Sequence, residues 1–131
     1  MSTSSEEDYL RAIYEINLTH DAVRSVDVAR ALDVSKPSVN KARAKLQDLG
    51  YVSNTEYGPI TLTERGRVRG AELHERYELV KRFLRDVLGV QEETASEEAH
   101  GIEHAISDDT AVKFKDFLNQ LGDTAHEHGS H

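Results

Sequence analysis

Residues 25–50 read SVDVARALDVSKPSVNKARAKLQDLG, and this stretch decides the fold. Apolar residues at helical spacing predict a short helix over 25–34. Ser35 then offers an N-cap hydroxyl for a second helix, and Pro37 falls in the first turn of that helix, where its missing N–H is harmless. Gly50 ends the second helix. Two helices joined by a tight connection are typical of a helix-turn-helix.

The segments on either side of this stretch extend the motif. Residues 51–53 and 60–62 are short runs rich in strand-forming residues, and a polar turn separates them, so they predict a β-hairpin. We call this segment the wing, with Tyr57 and Gly58 at its tip. On the other side, apolar residues over 5–19 follow an acidic start and predict a first helix. The whole block predicts a winged helix-turn-helix.

The second half of the chain is predicted to be helical. A long helix starts at Glu64 and carries an apolar stripe to about Leu88, and Gly89 ends it. Two further helices are predicted over 92–106 and 109–122. The fold class is therefore mainly α, with an N-terminal winged helix-turn-helix and a C-terminal helical domain.

Size and composition exclude several classes of protein. The 131 residues suffice for one compact domain or two small subdomains. Cysteine is absent, which excludes disulfides and thiolate metal sites. No apolar run approaches the ~20 residues that cross a bilayer, and the start of the chain is acidic where a signal peptide would be basic. We therefore expect a cytoplasmic protein that has no membrane partner.

Charge is distributed unevenly along the chain. The formal net charge is -8, but residues 1–70 carry 10 Lys+Arg against 10 Asp+Glu, while residues 71–131 carry 6 against 14. Within the first half, residues 24–45 have a local net charge of +4. A basic segment in an acidic protein is a candidate phosphate-contacting surface. The alternative is a solvated helix face with scattered charges.

In a helix-turn-helix the second helix enters the major groove of double-stranded DNA. Its exposed polar side chains are candidates for base contacts, namely Ser38, Asn40 and Lys41. Other basic side chains are candidates for phosphate contacts, namely Lys36, Arg43, Lys45 and Arg65. The alternative is that the motif packs against another protein.

The pentapeptide His100-Gly-Ile-Glu-His104 points to a metal. An α-helix would place His100, Glu103 and His104 on one face, because they are three and four residues apart. Two imidazoles and a carboxylate suit Mn, Fe, Co, Ni or Zn better than Ca or Mg, which prefer oxygen ligands. A surface helix can also carry these residues by accident, so the motif alone leaves both interpretations open.

The same pentapeptide also matches the signature of inverted zinc peptidases, in which two histidines bind zinc and the glutamate activates water. That hypothesis leaves the basic segment and the wing unexplained. A third hypothesis is a winged-helix DNA binder that does not respond to metal and whose histidines are structural.

The long apolar stripe after the wing suits pairing with a second copy of the chain. A twofold dimer would recognise a palindromic operator whose half-sites lie about one helical turn apart. Core packing within one chain would also explain the stripe. The extra helices beyond the wing favour a homodimer.

The residues together resemble a known family. The first helix contains Glu-Asp-Tyr-Leu-Arg-Ala-Ile-Tyr over 7–14, and it is followed by the winged helix-turn-helix, a long linking helix and the Gly-Ile-Glu-His segment. The combination is similar to the diphtheria toxin repressor family of metal-dependent transcriptional repressors, over residues 5–122. The short length resembles the manganese transport regulator branch, which lacks a C-terminal SH3-like domain.

The resemblance implies a metal-dependent repressor, not an enzyme, with Mn²⁺ or Fe²⁺ as its cofactor. It implies that a metal lies between the first and fifth helices, and its ligands fall on Asp8, His100, Glu103 and His104. His100 departs from the family, which has Cys or Glu there. Arg11 and Tyr77 stand where the manganese branch has ligands of a second metal, so we expect one strong site. His74, Glu97 and Glu98 are minor candidates for completing it.

The expected domains follow from this resemblance and from the pattern. Residues 1–70 form the winged helix-turn-helix DNA-binding domain, and 71–123 form the helical metal-binding and dimerisation domain. Residues 124–131 have no apolar periodicity and are expected to be a mobile tail. Its histidines are assigned no function.

Overall fold

A computed structural model describes residues 4–55 and 57–129, with side chains for 5–55 and 57–122. The chain divides into two compact units, Met1–His74 and Glu75–His131. The boundary falls inside the long helix, four residues beyond the boundary at 70 that the sequence suggested.

Three helices build the N-terminal unit: α1 (Ser4–Thr19), α2 (Ser25–Leu32) and α3 (Lys36–Asp48). Their apolar faces meet in one core, which includes Leu10 and Ile13 of α1, Val28 of α2, and Val39 and Leu46 of α3. Each of these side chains is at most 1% exposed. The predicted first three helices are confirmed.

The turn between α2 and α3 is fixed by backbone geometry and by a cap. Asp33 ends α2 in the left-handed region with φ of 54°, and Val34 N donates to Ala29 O at 3.0 Å. Ser35 Oγ then accepts a hydrogen bond from Ser38 N at 3.2 Å, as an N-cap should. The helix-turn-helix is therefore present as the sequence predicted.

The wing is shorter in regular structure than predicted. Among the described residues no strand forms, and the two arms meet in a single antiparallel bridge between Val52 and Leu62. Ile60 instead pairs with Val23, which precedes α2. Arms of three residues are too short for a ladder, and Val23 competes for one of them. The predicted hairpin of two strands is thus reduced to isolated bridges.

The long helix is continuous but changes type near its end. Helix α4 spans Glu64–Arg82, and a π-helical turn, Phe83–Val87, follows it directly. Gly89 adopts φ of +74°, a conformation that favours glycine, and ends the helix at the predicted place. A π turn holds one extra residue in the helical backbone, which the apolar stripe did not reveal.

The C-terminal unit adds α5 (Glu92–Ala105) and α6 (Asp108–Gly129) to the end of α4. Its core contains Val80 and Leu84 from the long helix and Ala95 and Ala99 from α5. Phe83 packs edge-on against two aromatic rings of α6, Phe114 and Phe117. Arg76 donates to Ile106 O at 3.3 Å and pairs with Asp108, so it holds the connection between α5 and α6.

The last helix is longer than predicted as far as its backbone is described, and the mobility expected of the tail stays a prediction. Helix α6 continues to Gly129 instead of ending near 122. A helix needs an apolar face to pack but not to propagate, because each added residue gains a backbone hydrogen bond, and 123–129 contain no proline. Ser130 and His131 lie outside the described residues.

No helix in the described part of the chain is both long and apolar enough to cross a membrane.

The start of α4 packs against the base of the wing at Gly66. Thr63 Oγ1 donates to Gly50 O at 2.6 Å and accepts from Gly66 N at 3.0 Å. A Cβ at Gly66 would overlap the carbonyl oxygen of Tyr51. Only glycine therefore allows this approach.

We expect Gly66→Ala to lower the free energy of unfolding by about 1–3 kcal/mol, because backbone must move to admit the methyl group. Urea denaturation of both proteins measures the difference. Gly122→Ala is the control, since Gly122 is helical and has nothing within 4 Å of its added Cβ. That control should gain about 0.5–1 kcal/mol from helix propensity. An unchanged stability of Gly66→Ala would contradict the close approach.

Candidate metal centre and nucleic-acid interface

Helix α5 has a carboxylate on its buried face, where an apolar side chain is expected. Ala95, Ala99 and Glu103 recur at four-residue intervals on the buried face of the helix. Ala95 and Ala99 are 0% exposed, and Glu103 is 2% exposed. A buried carboxylate is costly unless positive charge or hydrogen bonds compensate it. Glu103 is therefore a strong candidate for a functional group.

Two imidazoles lie beside Glu103 on α5. The rings of His100 and His104 have centroids 5.4 Å apart, and each offers a ligand nitrogen within 4.8 Å of the other. His104 Nε2 lies 3.5 Å from Glu103 Oε1. Nitrogen or oxygen ligands about 2.1 Å from one ion stand at most about 4.2 Å apart, so small side-chain rotations suffice. The donor set fits a borderline divalent cation.

The first turn of α5 is fixed by ion pairs with the preceding helix. Glu92 accepts from Arg85 Nη1 at 2.9 Å and from Lys81 Nζ at 3.0 Å. The hydrogen bond from Arg85, followed by that from Lys81, lowers the pKa of Glu92 below its usual value. The same contact with Glu92 raises the pKa of Lys81. These pairs hold the start of the helix that carries His100, Glu103 and His104.

Asp8, the fourth predicted ligand, lies half-buried on α1 in the N-terminal unit. Its neighbour Glu7 accepts from Arg69 Nη2 of α4 at 2.7 Å, which ties the first turns of α1 to α4. Arg11, one turn after Asp8, has its Nη1 3.5 Å from Glu15 Oε2. The positively charged guanidinium of Arg11 therefore stands where the manganese branch would have a second metal ligand on the first helix.

His74 and Tyr77 each contact a side chain of their own unit. His74 Nδ1 lies 2.8 Å from Glu15 Oε2 within the N-terminal unit, and its ring packs against Tyr14. Tyr77, in the C-terminal unit, lies beneath the ammonium group of Lys81, whose Nζ is 5.9 Å from the ring centroid. The Glu15–His74 contact was missed from sequence, since the residues are far apart in the chain. Glu97 and Glu98 are exposed on α5.

Helix α3 is the second helix of the helix-turn-helix, and we call it the recognition helix. It exposes most of the side chains that were predicted to contact DNA. Exposed side chains are Lys36, Ser38, Asn40, Lys41 and Lys45, together with Arg65 at the start of α4. Ser38 shares a hydrogen bond of 2.8 Å with Ser35, and Asn40 Oδ1 accepts one from Ser25 at 3.4 Å. Arg65 also stacks on the Tyr51 ring at 5.1 Å. Local contacts therefore orient several of these side chains before any DNA is bound.

Arg43 differs from the expectation that it contacts phosphate. It is 6% exposed, and its guanidinium donates to Gly58 O at 2.9 Å, Thr55 Oγ1 at 3.1 Å and Pro59 O at 3.2 Å. A guanidinium that is buried against the wing is not available to a phosphate. Sequence reasoning missed this because Arg43 was counted with the exposed basic residues, although it stands one turn after buried Val39.

Two models of known protein families match this chain, one after the other along the sequence. Residues 1–60 match the model of the iron-dependent repressor N-terminal DNA-binding domain, and residues 63–130 match that of the iron-dependent repressor metal-binding and dimerisation domain. The chain belongs to the iron-dependent repressor family. Membership confirms the predicted resemblance to metal-dependent repressors. The chain is a DNA-binding transcriptional regulator and not an enzyme, so the zinc-peptidase hypothesis is wrong.

Individual members of the family support the assignment over most of the chain. An uncharacterised HTH-type transcriptional regulator of Methanocaldococcus jannaschii is 36% identical over 122 residues, which cover 92% of this chain and 98% of the relative. The regulator MntR of Bacillus subtilis is 38% identical over 107 residues, covering 82% of this chain and 75% of MntR.

Solved structures of the family are also similar to this chain. A manganese-dependent transcriptional repressor in complex with manganese has a TM-score of 0.79 and 29% identity, covering 87% of this chain and 52% of that one. The chain thus spans about half the length of that solved repressor.

We expect Arg85→Gln to raise the pKa of Glu92 toward its usual value, because the strongest hydrogen bond to that carboxylate is lost. A carboxyl group with a depressed pKa stabilises the fold above its unfolded pKa, and this contribution is lost as the pH falls through the folded pKa. Carboxyl ¹³C NMR titration measures the change. Arg82→Gln is the control, since Arg82 makes no contact with Glu92 among the interactions that shift its pKa. Equal titration of Glu92 in wild type and Arg85→Gln would contradict the ion pair.

Proposed function

We propose that this chain represses transcription when Mn²⁺ or Fe²⁺ is bound by Asp8, His100, Glu103 and His104. The observation that carries the proposal is Glu103, a carboxylate 2% exposed that stands beside two imidazoles on α5. The resemblance to the family assigns the metal ligands to the same four residues. The donor set contains no thiolate, so it suits the borderline ions rather than soft ones.

The choice between the two ions rests on the relatives and on the ligands. Relatives are named MntR, and one similar structure is a manganese-dependent repressor solved with manganese. Asp8 adds an oxygen ligand, which favours Mn²⁺. His100 adds a nitrogen where the manganese branch has a carboxylate, which keeps Fe²⁺ as the second candidate.

The residues of this chain suggest how metal binding would reach the DNA. When bound, the cation supplies positive charge that neutralises the carboxylates of Asp8 and Glu103. Asp8 lies two residues before Leu10, and Leu10 packs in the core that also contains Val39 of the recognition helix. Holding Asp8 therefore restrains α1, and α1 restrains α3. Glu103 and the imidazoles hold the other end of the link on α5.

The proposed partners are a second copy of the chain and double-stranded DNA, one for each of the two units. We propose that two copies pair through the C-terminal unit and bind a palindromic operator in double-stranded DNA, in the cytoplasm. The family model for this unit is a dimerisation domain. Apolar side chains remain exposed on the unit, namely Leu88, Val112, Phe117 and Leu121.

We expect Asp8→Ala to abolish the dependence of DNA binding on metal. In the wild type, Mn²⁺ should tighten binding to a palindromic operator by about 5- to 150-fold, the usual range of coupling between two sites. In Asp8→Ala the affinities with and without Mn²⁺ should be equal. Fluorescence anisotropy with an operator selected from random DNA by the metal-loaded protein measures both.

The control for this experiment is Asp21→Ala, which removes an exposed carboxylate from the same unit and should keep the response. A wild-type affinity that is unchanged by Mn²⁺ and by Fe²⁺ would overturn the proposal. That result would indicate a winged-helix DNA binder that does not respond to metal.

We also expect one strong Mn²⁺ site per chain in isothermal titration calorimetry. His104→Ala should weaken that site by about tenfold or more, since even the partners that orient a ligand contribute about 10–100-fold. His20→Ala, which removes an exposed histidine bonded to Thr19, is the matched control and should bind as the wild type does. Equal affinity in His104→Ala and wild type would exclude this ligand set.

A further inference from the structure

Arg43 stands at a core position of the recognition helix. It follows buried Val39 by one turn and precedes buried Leu46 by three residues, so its side chain leaves the helix on the buried side. The side chain is 6% exposed. Instead of packing against apolar groups, its guanidinium ends on the wing, where it makes three hydrogen bonds to Thr55, Gly58 and Pro59.

Gln47 repeats the contact one helical turn later. Its Nε2 donates to Thr55 O at 2.7 Å and to Ser53 O at 3.3 Å. Arg43 and Gln47 are i and i+4 on α3, so both reach the wing from the same edge of the helix. Together they make five hydrogen bonds to Ser53, Thr55, Gly58 and Pro59, and we call this pair the clip.

The wing has few internal bonds to fix its conformation. In the described part of the wing, the arms share the Val52–Leu62 bridge, in which Ser53 N donates to Thr61 O at 2.8 Å and Thr63 N donates to Tyr51 O at 3.0 Å. Gly58 adopts φ of +84°, and Tyr57 beside it is 87% exposed. Because an isolated hairpin is at best marginally stable, the clip supplies the contacts that a longer ladder would otherwise provide.

We infer that the clip holds the wing in place on the recognition helix, so that α3 and Tyr57 meet DNA as one rigid element. Arg43 is then a positioning residue for the wing and not a phosphate contact. The inference rests on the DNA binding of this unit and goes beyond it. The local net charge of the sequence does not reveal this function of Arg43.

Salt dependence separates the two functions of a basic residue. A side chain that neutralises a phosphate releases counterions, so affinity falls as salt rises. Loss of that side chain reduces the magnitude of the negative slope of log affinity against log salt by about 0.9. The exposed Tyr57 hydroxyl and the backbone N–H groups of the wing carry no charge. Losing their contacts with DNA weakens binding without changing that slope.

The test compares Arg43→Gln with Lys45→Ala in the metal-loaded full chain on its palindromic operator, over a range of salt concentrations. Arg43→Gln should weaken binding by about tenfold per half-site with an unchanged salt slope. Lys45→Ala removes an exposed basic side chain of the same helix that is a candidate phosphate contact, and it should reduce the magnitude of the slope by about 0.9 per half-site. A slope of smaller magnitude in Arg43→Gln would overturn the inference, because Arg43 would then contact phosphate.

A double-mutant cycle with Tyr57→Ala tests whether Arg43 acts through the wing. In the Tyr57→Ala background, Arg43→Gln should change affinity by less than about twofold, since the wing contact is already lost. Equal effects of Arg43→Gln in both backgrounds would overturn the inference. Gln47→Ala, which removes two of the five bonds, repeats the cycle if Arg43→Gln does not fold.

Hydrogen exchange tests the clip without DNA. The amide of Ser53 should exchange faster in Arg43→Gln and in Gln47→Ala, while the amides of α1 keep the rates of the wild type. Unchanged exchange at Ser53 would show that the wing does not depend on the clip. A wild type that fails to bind any operator would contradict the proposed function and leave this exchange result to decide the inference.

Discussion

A charge that is taken out of water needs polar partners, and each unit of this chain buries one on a helix face that is otherwise apolar. In the C-terminal unit Glu103 follows Ala95 and Ala99 on α5, and in the N-terminal unit Arg43 follows Val39 on α3. Replacing either by a neutral apolar residue would satisfy the core equally well. Each therefore indicates a requirement beyond stability: ligand chemistry at Glu103 and the wing at Arg43.

The local signals in the sequence predicted most of the fold. The cap at Ser35, the proline at 37 and the glycine at 89 marked helix ends where the structure has them, because caps and breakers act within a few residues. The wing bridges and the π turn could not be predicted in the same way. Val23 pairs with Ile60 across 37 residues, and Phe83 and Leu84 of the π turn pack against helices that come later in the chain.

The candidate ligands were predictable as residue types, and their environments were predictable only in part. Spacing placed His100, Glu103 and His104 on one face, but the burial of Glu103 follows from the alanines one and two turns before it. That signal was available, since small residues at four-residue intervals predict close helix packing. Arg43 shows the opposite limit: its partners lie 12 to 16 residues away, and only the folded wing brings them to it.

An acidic chain that binds DNA faces repulsion at long range, and its basic helix must act at short range. The formal charge of -8 resides in the second half of the chain, while the Debye length at physiological salt is about 8 Å. Long-range repulsion is thus largely screened, but so is part of the attraction between exposed lysines and phosphate. Contacts without net charge do not weaken in this way. An arginine that fixes an uncharged wing contact, in place of one more phosphate contact, makes DNA binding less dependent on ionic strength.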